Sequence, residues 1–262
     1  FPASLPQIMA QAGLDTFITN KMSWCESNRF PNVTFWWRGI DGTEVLTHLT
    51  PGHNYNSSLE PKDLQYAQDN LTQQDGARVP DLLQPFGWGD GGGGPTAEQI
   101  ARAEMGARCE GLPRVQQGRV WDFCERLHQE QRRLRAQRQD VRTWDGELYL
   151  ELHRGTYTSQ AWIKTANRQA ELALRLAEVL ACVRAGLEEP VHAARTRQEL
   201  DSTWKTVLLN QFHDILPGSS IGPVYDEARQ QMQEVRRTTL RAVQRGMVCL
   251  GEKAGGAGAG AG

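Results

Sequence analysis

His213 and Asp214 form a polar pair that stands directly before the segment 215–220. Pro217 and Gly218 in that segment end any preceding helix, so the pair projects from a helix end into a loop. A histidine and an aspartate placed there can meet a neighbouring domain, and an imidazole is a common metal ligand. A polar helix cap, with the histidine favoured by the helix dipole, explains the same pair more simply. One histidine is not a metal site by itself.

A glycine-rich run, 89–94, carries a single carboxylate, Asp90, and follows Trp88. The run lacks the Gly-Lys-Ser/Thr ending of a phosphate-binding loop, and its spacing differs from the dinucleotide fingerprint, which excludes nucleotide binding. Glycines permit the backbone to approach a sugar ring closely, and the Trp88 indole offers an apolar face on which sugars stack. A flexible surface loop is the alternative interpretation.

Glu151, His153 and Arg154 follow a segment, 146–152, whose apolar residues alternate like a strand. Enzymes of the α/β class place reactive groups at strand ends, so Glu151 is a candidate acid or base. A structural salt bridge between Glu151 and Arg154 is the competing interpretation.

The secondary-structure elements that must position these groups differ between the first part of the chain and the second. The first part predicts strands at 14–19, 34–37 and 44–49 alternating with helices at 6–12 and 61–70, which indicates an α/β architecture. Residues 97–140 are helical in composition, and the strand at 146–152 follows them.

The second part of the chain predicts three long helices joined by short breaks, the pattern of a small helical bundle. They begin near residues 158, 198 and 223, and Gly186 ends the first of them. We therefore predict domains at 1–152 and 153–246, and a disordered Ala/Gly tail at 247–262.

Composition excludes several classes of partner. The 262 residues are 39% hydrophobic and 23% charged, with a net charge of -2, which gives no electrostatic reason to expect nucleic acid or an anionic membrane. No apolar run approaches the roughly 20 residues that span a bilayer. The N-terminal residues do not form a signal peptide. The five cysteines are widely spaced, which indicates reduced thiols and a cytoplasmic location.

Four stretches together resemble glycoside hydrolase family 38, the class II α-mannosidases, and most closely its cytosolic and vacuolar branch. They are 5–14, 30–42, 87–96, and 148–160 taken with 210–220. The resemblance covers about residues 4–245. It implies the C-terminal part of an incomplete β/α barrel catalytic domain followed by a three-helix-bundle middle domain.

The resemblance implies retaining hydrolysis of α-linked mannose in N-glycans or free oligosaccharides by two carboxyl groups. His213 then matches a ligand of a zinc ion, for which cobalt is an alternative, and Asp214 matches a sugar-binding aspartate. Trp88 is a substrate-binding candidate, and Asp90 and Glu151 are the general-acid candidates. Oligomerisation of the full-length protein stays open.

The resemblance also implies parts that this sequence lacks. The nucleophilic aspartate, itself a zinc ligand, is expected shortly before Leu5, where the sequence reads Phe-Pro-Ala-Ser. The family's His-x-Asp ligand pair is expected further upstream. We therefore expect an internal fragment that is inactive alone. A non-catalytic carbohydrate-binding or regulatory fragment is the alternative, and a truncated product that folds poorly is a third.

Overall fold

The computed structural model describes residues 1–75, 81–89, 93–139, 141–186 and 190–258, with only the backbone of 252–258. The chain divides into two compact units, Phe1–His153 and Arg154–Gly262. The first unit is α/β and the second is helical. No helix among the described residues is both long and apolar enough to cross a membrane.

The first unit contains a small mixed sheet in the order β1-β3-β2-β4. Its elements are α1 (Leu5–Gln11), β1 (Thr16–Thr19), a 3₁₀ turn (Lys21–Trp24), β2 (Thr34–Arg38), β3 (Glu44–Leu49), α2 (Pro61–Asp75), α3 (Ala97–Gly106), α4 (Val120–Ala136) and β4 (Thr143–Asp145). β3 pairs parallel with β1 and antiparallel with β2, and β2 pairs parallel with β4.

Both faces of the sheet are covered. On one face, Val45 and Trp37 pack with Met9 of α1, Phe30 and Leu148. On the other face, Leu46 and Val33 pack with apolar residues of α2 and α4, namely Leu71, Phe123 and Leu127. β3 is buried on both sides: every residue from Val45 to Leu49 is buried, and these include the polar Thr47 and His48.

The strand predicted over 146–152 is wrong. The ladder occupies Thr143–Asp145 and ends at Gly146, whose φ is +107°. Beyond it the backbone is irregular. Leu148 and Glu151 are buried, whereas Leu152 is exposed. An apolar residue is therefore outside and a carboxylate inside, because hydrogen bonds rather than apolar packing decide the burial of Glu151.

Residues 97–140, which are helical in composition, form two separate helices rather than one continuous helix. α3 ends at Gly106 and α4 begins at Val120, with an irregular connection between them. Gly106 lies against Val115, where a Cβ would approach the Val115 side chain to 2.7 Å. The glycine therefore lets the connection fold back onto the helix end.

The second unit consists of α5 (Ala161–Ala185), α6 (Pro190–Asn210) and α7 (Gly222–Gly258), after a 3₁₀ turn at Arg154–Tyr157. All three helices contribute to one apolar cluster, which includes Leu174, Leu200, Val207 and Val235. The tail predicted as disordered from residue 247 is helical to Gly258, which corrects that prediction over 247–258. Residues 259–262 lie outside the described residues.

His48 of β3 gives the first unit a predictable response to acid. Its ring is fully buried, Nδ1 lies 2.9 Å from Thr34 Oγ1, and Nε2 accepts a hydrogen bond from the Leu83 amide at 3.3 Å. Burial lowers the pKa of His48 from 6.5 to about 3. The folded state therefore holds the ring neutral at pH values where the unfolded chain protonates it.

We expect the free energy of unfolding to fall by about 1 kcal/mol between pH 7 and pH 5.5 on account of His48. The unfolded chain takes up a proton that the folded chain does not, so stability is full above the unfolded pKa and decreases as the pH falls. Burial also lowers the pKa of His53 and His128, which act in the same direction. Urea unfolding of wild type and His48→Gln across this pH range measures the effect. A slope unchanged by the substitution would contradict the assignment.

Candidate functional site

The carboxyl ends of β1 and β3 define one edge of the first unit. Because these strands are parallel, the segments that follow them, 20–28 and 50–56, emerge on the same side. The Thr50 hydroxyl donates to Asn20 Oδ1 at 2.7 Å, which joins the first residues of the two segments. Ligand sites of α/β proteins lie at such edges.

Aromatic and cationic side chains meet at this edge. The Lys21 ammonium lies 3.7 Å from the centre of the Trp24 ring and 5.3 Å from that of Tyr55. The Trp24 ring also contacts His153, with centroids 5.6 Å apart. Cation–π contacts of this kind stabilise the orientation of a ring by roughly 0.5–1 kcal/mol at exposed sites.

The glycine-rich loop is tied to the same edge. Trp88 and Gly94 exchange two backbone hydrogen bonds of 2.7 and 2.8 Å, which close the loop at its base. The Gly89 amide donates to Asn56 Oδ1 at 2.7 Å, and Asn56 belongs to the segment after β3. Trp88 is 56% exposed, so its indole is available for stacking.

Two glycines of this loop are required by geometry. Gly87 has φ +104°, and a Cβ there would lie 2.8 Å from the Pro95 nitrogen. A Cβ on Gly89 would lie 2.5 Å from Asn56 Oδ1, the atom that accepts its amide proton. Asp90, which follows Gly89 in the sequence, lies outside the described residues.

Glu151 anchors a loop. It is 8% exposed, and its carboxylate accepts hydrogen bonds from the Ser27 amide at 2.8 Å and from the Asn28 amide and side chain at 2.9 and 2.7 Å. The Ser27 amide bond, followed by the Asn28 side chain, lowers the pKa of this carboxyl below its ordinary value. A general acid needs a raised pKa, so this environment favours a structural role for Glu151.

His213 and Asp214 lie in a fixed turn of the second unit, directly after α6. The Tyr225 hydroxyl donates to the carbonyls of Asp214 and Ile215, and the Ser220 hydroxyl donates to the Asp214 carbonyl at 2.6 Å. The His213 side chain is 79% exposed, and its Nε2 lies 3.5 Å from Asp214 Oδ2. The backbone is therefore held while both side chains face outward, as a ligand-binding pair requires.

The described residues do not complete a metal centre. Within them, no three His, Cys, Asp or Glu side chains converge in a way that could hold an ion. His213 offers one imidazole, and tight zinc binding takes about four protein ligands. The described residues therefore do not fit a resident zinc ion by themselves.

The structure brings some predicted residues together and adds others. Trp88 and Glu151 both connect to segments at the carboxyl edge of the sheet, whereas His213 and Asp214 belong to the other unit. Sequence reasoning missed Lys21, Trp24, Tyr55 and Asn56. The sequence does show that each of these residues follows a predicted strand. Only the parallel pairing of β1 with β3, which the sequence does not show, places them side by side.

Comparisons with known proteins agree on one family. The model for the glycosyl hydrolases family 38 N-terminal domain matches residues 1–147, and that for the alpha mannosidase middle domain matches residues 151–250. Alpha-mannosidase G of Dictyostelium discoideum is 40% identical over 90% of this chain and 20% of its own length. Alpha-mannosidase 2C1 of Homo sapiens is 37% identical over 96% of this chain and 23% of its own length.

This chain thus spans about a fifth of the length of these relatives. A solved alpha-mannosidase from Enterococcus faecalis V583 superposes with a TM-score of 0.67 at 19% identity, covering 96% of this chain and 29% of that one. At that identity the likeness concerns the fold.

Replacing Glu151 by glutamine should lower the melting temperature at neutral pH, because two backbone amides lose a charged acceptor. The pKa of Glu151 is lower in the folded state than its ordinary value of 4.5, so the contribution of the carboxylate to stability is present above pH 4.5 and is lost as the pH falls through the folded-state pKa. The difference in melting temperature between wild type and Glu151→Gln should therefore narrow at acidic pH. Glu104→Gln, at an exposed position of α3, is the control. An equal effect of both substitutions would contradict this role.

Replacing Gly87 by alanine should open the Trp88 loop, at a cost of about 1–3 kcal/mol for the left-handed backbone and the contact with Pro95. Quenching of tryptophan fluorescence by iodide should increase as the loop loosens. Gly118→Ala is the matched control, since a Cβ there meets nothing within 4 Å. Equal quenching of both variants would show that the glycine is not needed for the loop.

Proposed function

This chain belongs to glycosyl hydrolase family 38, and on that premise we propose that the longer protein is a retaining α-mannosidase acting on α-linked mannose in N-glycans or free oligosaccharides. The observation that carries the proposal is the Trp88 loop. It is a closed, glycine-dependent loop with a half-exposed indole, hydrogen-bonded to the segment after β3. Such an indole stacks on the apolar face of a sugar ring.

The proposed roles follow the chemistry of each side chain. Trp88 stacks on the sugar, and the Asp214 carboxylate accepts hydrogen bonds from sugar hydroxyls. Asp90, next to Gly89 in the sequence, is the proposed general acid. Glu151, the other candidate from the sequence, serves better as an anchor, because its carboxylate is already held by amides of Ser27 and Asn28. Retaining hydrolysis takes a second carboxyl group as nucleophile.

We propose that His213 contributes one ligand to a divalent metal in the longer protein, zinc or else cobalt. Its support is the outward imidazole on a turn fixed by Tyr225 and Ser220. Since this chain's described residues supply no complete ligand set, none of the steps assigned to its side chains depends on the metal.

The proposed architecture is the C-terminal part of a β/α barrel at 1–152 and a three-helix-bundle middle domain at 153–246. Support comes from the parallel pairs within a sheet covered on both faces, and from the apolar cluster that α5, α6 and α7 share.

We propose a cytoplasmic location, in keeping with five cysteines that form no disulfide. The proposed partner is a mannose-containing oligosaccharide, with neither nucleic acid nor a membrane involved. The proposal extends to self-association of the full-length protein.

A second candidate is a carbohydrate-binding unit without turnover. The cluster of Lys21, Trp24 and Tyr55 beside the Trp88 loop favours it, since these side chains bind without needing a nucleophile. Both candidate functions include a contact between Trp88 and a sugar ring. They differ in whether the glycosidic bond is then hydrolysed.

Two measurements on the purified chain test these proposals. Titration with methyl α-mannoside should give a saturable change in tryptophan fluorescence that Trp88→Ala abolishes. Trp121→Ala, which removes another exposed indole on α4, should leave the change intact. No dependence on Trp88 would overturn the proposed sugar contact.

The isolated chain should not release the aryl group of an aryl α-mannoside with zinc or cobalt present. Release that depends on the metal would show that the chain is active alone. Saturable binding of the mannoside without release of the aryl group is expected whether the chain is an inactive fragment of a mannosidase or a carbohydrate-binding unit. Activity of the longer protein that is lost on replacing Asp90 by asparagine would favour the enzyme.

A further inference from the structure

The second unit contains a groove of about 370 Å³ between α5 and α7. Along α5 its lining runs from Trp162 to Ala173, and along α7 it runs from Arg229 to Leu240. At about 1.5 Å of rise per helical residue, the groove is roughly 16 Å long. Binding sites for small molecules have volumes of roughly 300–1,000 Å³, so the groove is large enough for a small ligand.

The floor of this groove is apolar. Ala170, Met232 and Val235 line it with buried side chains. The Thr239 hydroxyl, which also lines it, already donates to the Val235 carbonyl within α7 at 2.6 Å. A ligand body made of C–H groups is stabilised on such a floor because its apolar surface leaves water.

Two arginines of α7 line the same groove. Arg229 and Arg236 are about two helical turns apart, so they lie on one side of the helix. The Arg229 guanidinium lies 4.1 Å from the centre of the Trp162 ring, whose indole donates to Gln160 Oε1 at 2.8 Å. Within the described part of the chain, neither arginine has an ion pair or a side-chain hydrogen bond. Their guanidinium groups are therefore available to a ligand.

The groove holds no compensating negative charge. No carboxylate of the described residues lines it. Acidic side chains elsewhere on the two helices pair with other arginines: Glu234 with Arg237 at 3.1 Å, and Glu171 with Arg168 at 2.9 Å. Two cations beside an apolar floor favour a ligand with an anionic head and an apolar body, and they disfavour a cationic ligand.

Two other occupants match these features less well. An inorganic anion would contact the arginines and leave the apolar floor in water. A stable protein partner buries roughly 800 Å² on each side, which is more surface than a groove of this length supplies. The volume, the apolar floor and the unpaired arginines therefore all agree with a small amphiphile.

We propose that the groove between α5 and α7 binds a small amphiphilic anion, in which an apolar chain carries one carboxylate. The chain lies on the floor formed by Ala170, Met232 and Val235, and the carboxylate accepts hydrogen bonds from the Arg236 guanidinium. Because the ligand contacts both helices, it stabilises the folded second unit. The site uses none of the residues of the proposed sugar contact.

Octanoate is the probe, because it combines an apolar chain with one carboxylate. Ligand-observed NMR with the full chain at pH 7 should show binding that strengthens about fourfold for each added CH₂ along the series hexanoate, octanoate and decanoate. Octanamide keeps the chain but lacks the charge, so it should bind about tenfold more weakly than octanoate. The melting temperature of the chain should rise with the concentration of octanoate.

Arg236→Gln should weaken octanoate binding about tenfold and leave octanamide binding unchanged. Arg236 is exposed, so this substitution tests the site without disturbing the core. Arg236→Lys, which keeps the charge, should restore part of the affinity. Arg241→Gln is the matched control, because Arg241 is an exposed arginine of α7 that does not line the groove. Ala173→Leu should block both ligands by filling one end of the groove, and a cooperative melt followed by circular dichroism shows that this variant is folded.

Four results would overturn the site. The first is the absence of octanoate binding to the wild-type chain, and the second is equal weakening by Arg236→Gln and Arg241→Gln. The third is binding of octylammonium as tight as that of octanoate, which would mean that the arginines do not select the charge. The fourth is Arg236-dependent sedimentation of the chain with anionic phospholipid vesicles while monomeric octanoate does not bind, which would mean a membrane surface as the partner.

Discussion

The parallel pairing of β1 with β3 is the constraint on which the candidate site depends. It brings two segments separated by thirty residues of chain, those beginning at Asn20 and Thr50, to one edge of the sheet. An antiparallel arrangement of the same strands would send these segments to opposite ends. Lys21, Trp24, Tyr55 and the support of the Trp88 loop would then be apart, although each local structure would be unchanged.

Polar side chains that bind backbone amides fix the irregular parts of the first unit. Glu151 accepts from the amides of Ser27 and Asn28, Asp75 from those of Val33 and Thr34, and Asn56 from that of Gly89. The bonds from Val33 and Thr34 to Asp75 are buried, and a buried amide left unpaired costs stability. The loops at the sheet edge are therefore defined by particular carboxylates and amides, and the exposed Trp88 indole lies on one of these loops.

In the second unit, side-chain donors hold the backbone carbonyls of an irregular turn. Tyr225 and Ser220 hold the carbonyls of the turn after α6, and the Lys164 ammonium donates to the Leu216 carbonyl at 2.9 Å. Gly218 has φ +91° and approaches Ser159 so closely that a Cβ would lie 2.5 Å from the Ser159 carbonyl oxygen. His213 and Asp214 can remain exposed because none of these contacts uses their side chains.

The sequence by itself determined the three early strands, most of the helices, the α/β-then-helical order and the family, because periodicity, breakers and long motifs are local properties of the chain. It did not determine the break between α3 and α4 or the helix over 247–258. It did not determine where the last strand ends or what Glu151 does: the alternation over 146–152 looked like a ladder, and the carboxylate looked reactive. Only the tertiary structure decided these points. Hydrogen bonding between Glu151 and a loop more than a hundred residues away in sequence makes burial of the carboxylate favourable, and the parallel register alone decides which loops are neighbours. Such long-range pairing has no signature in the residues taken one segment at a time.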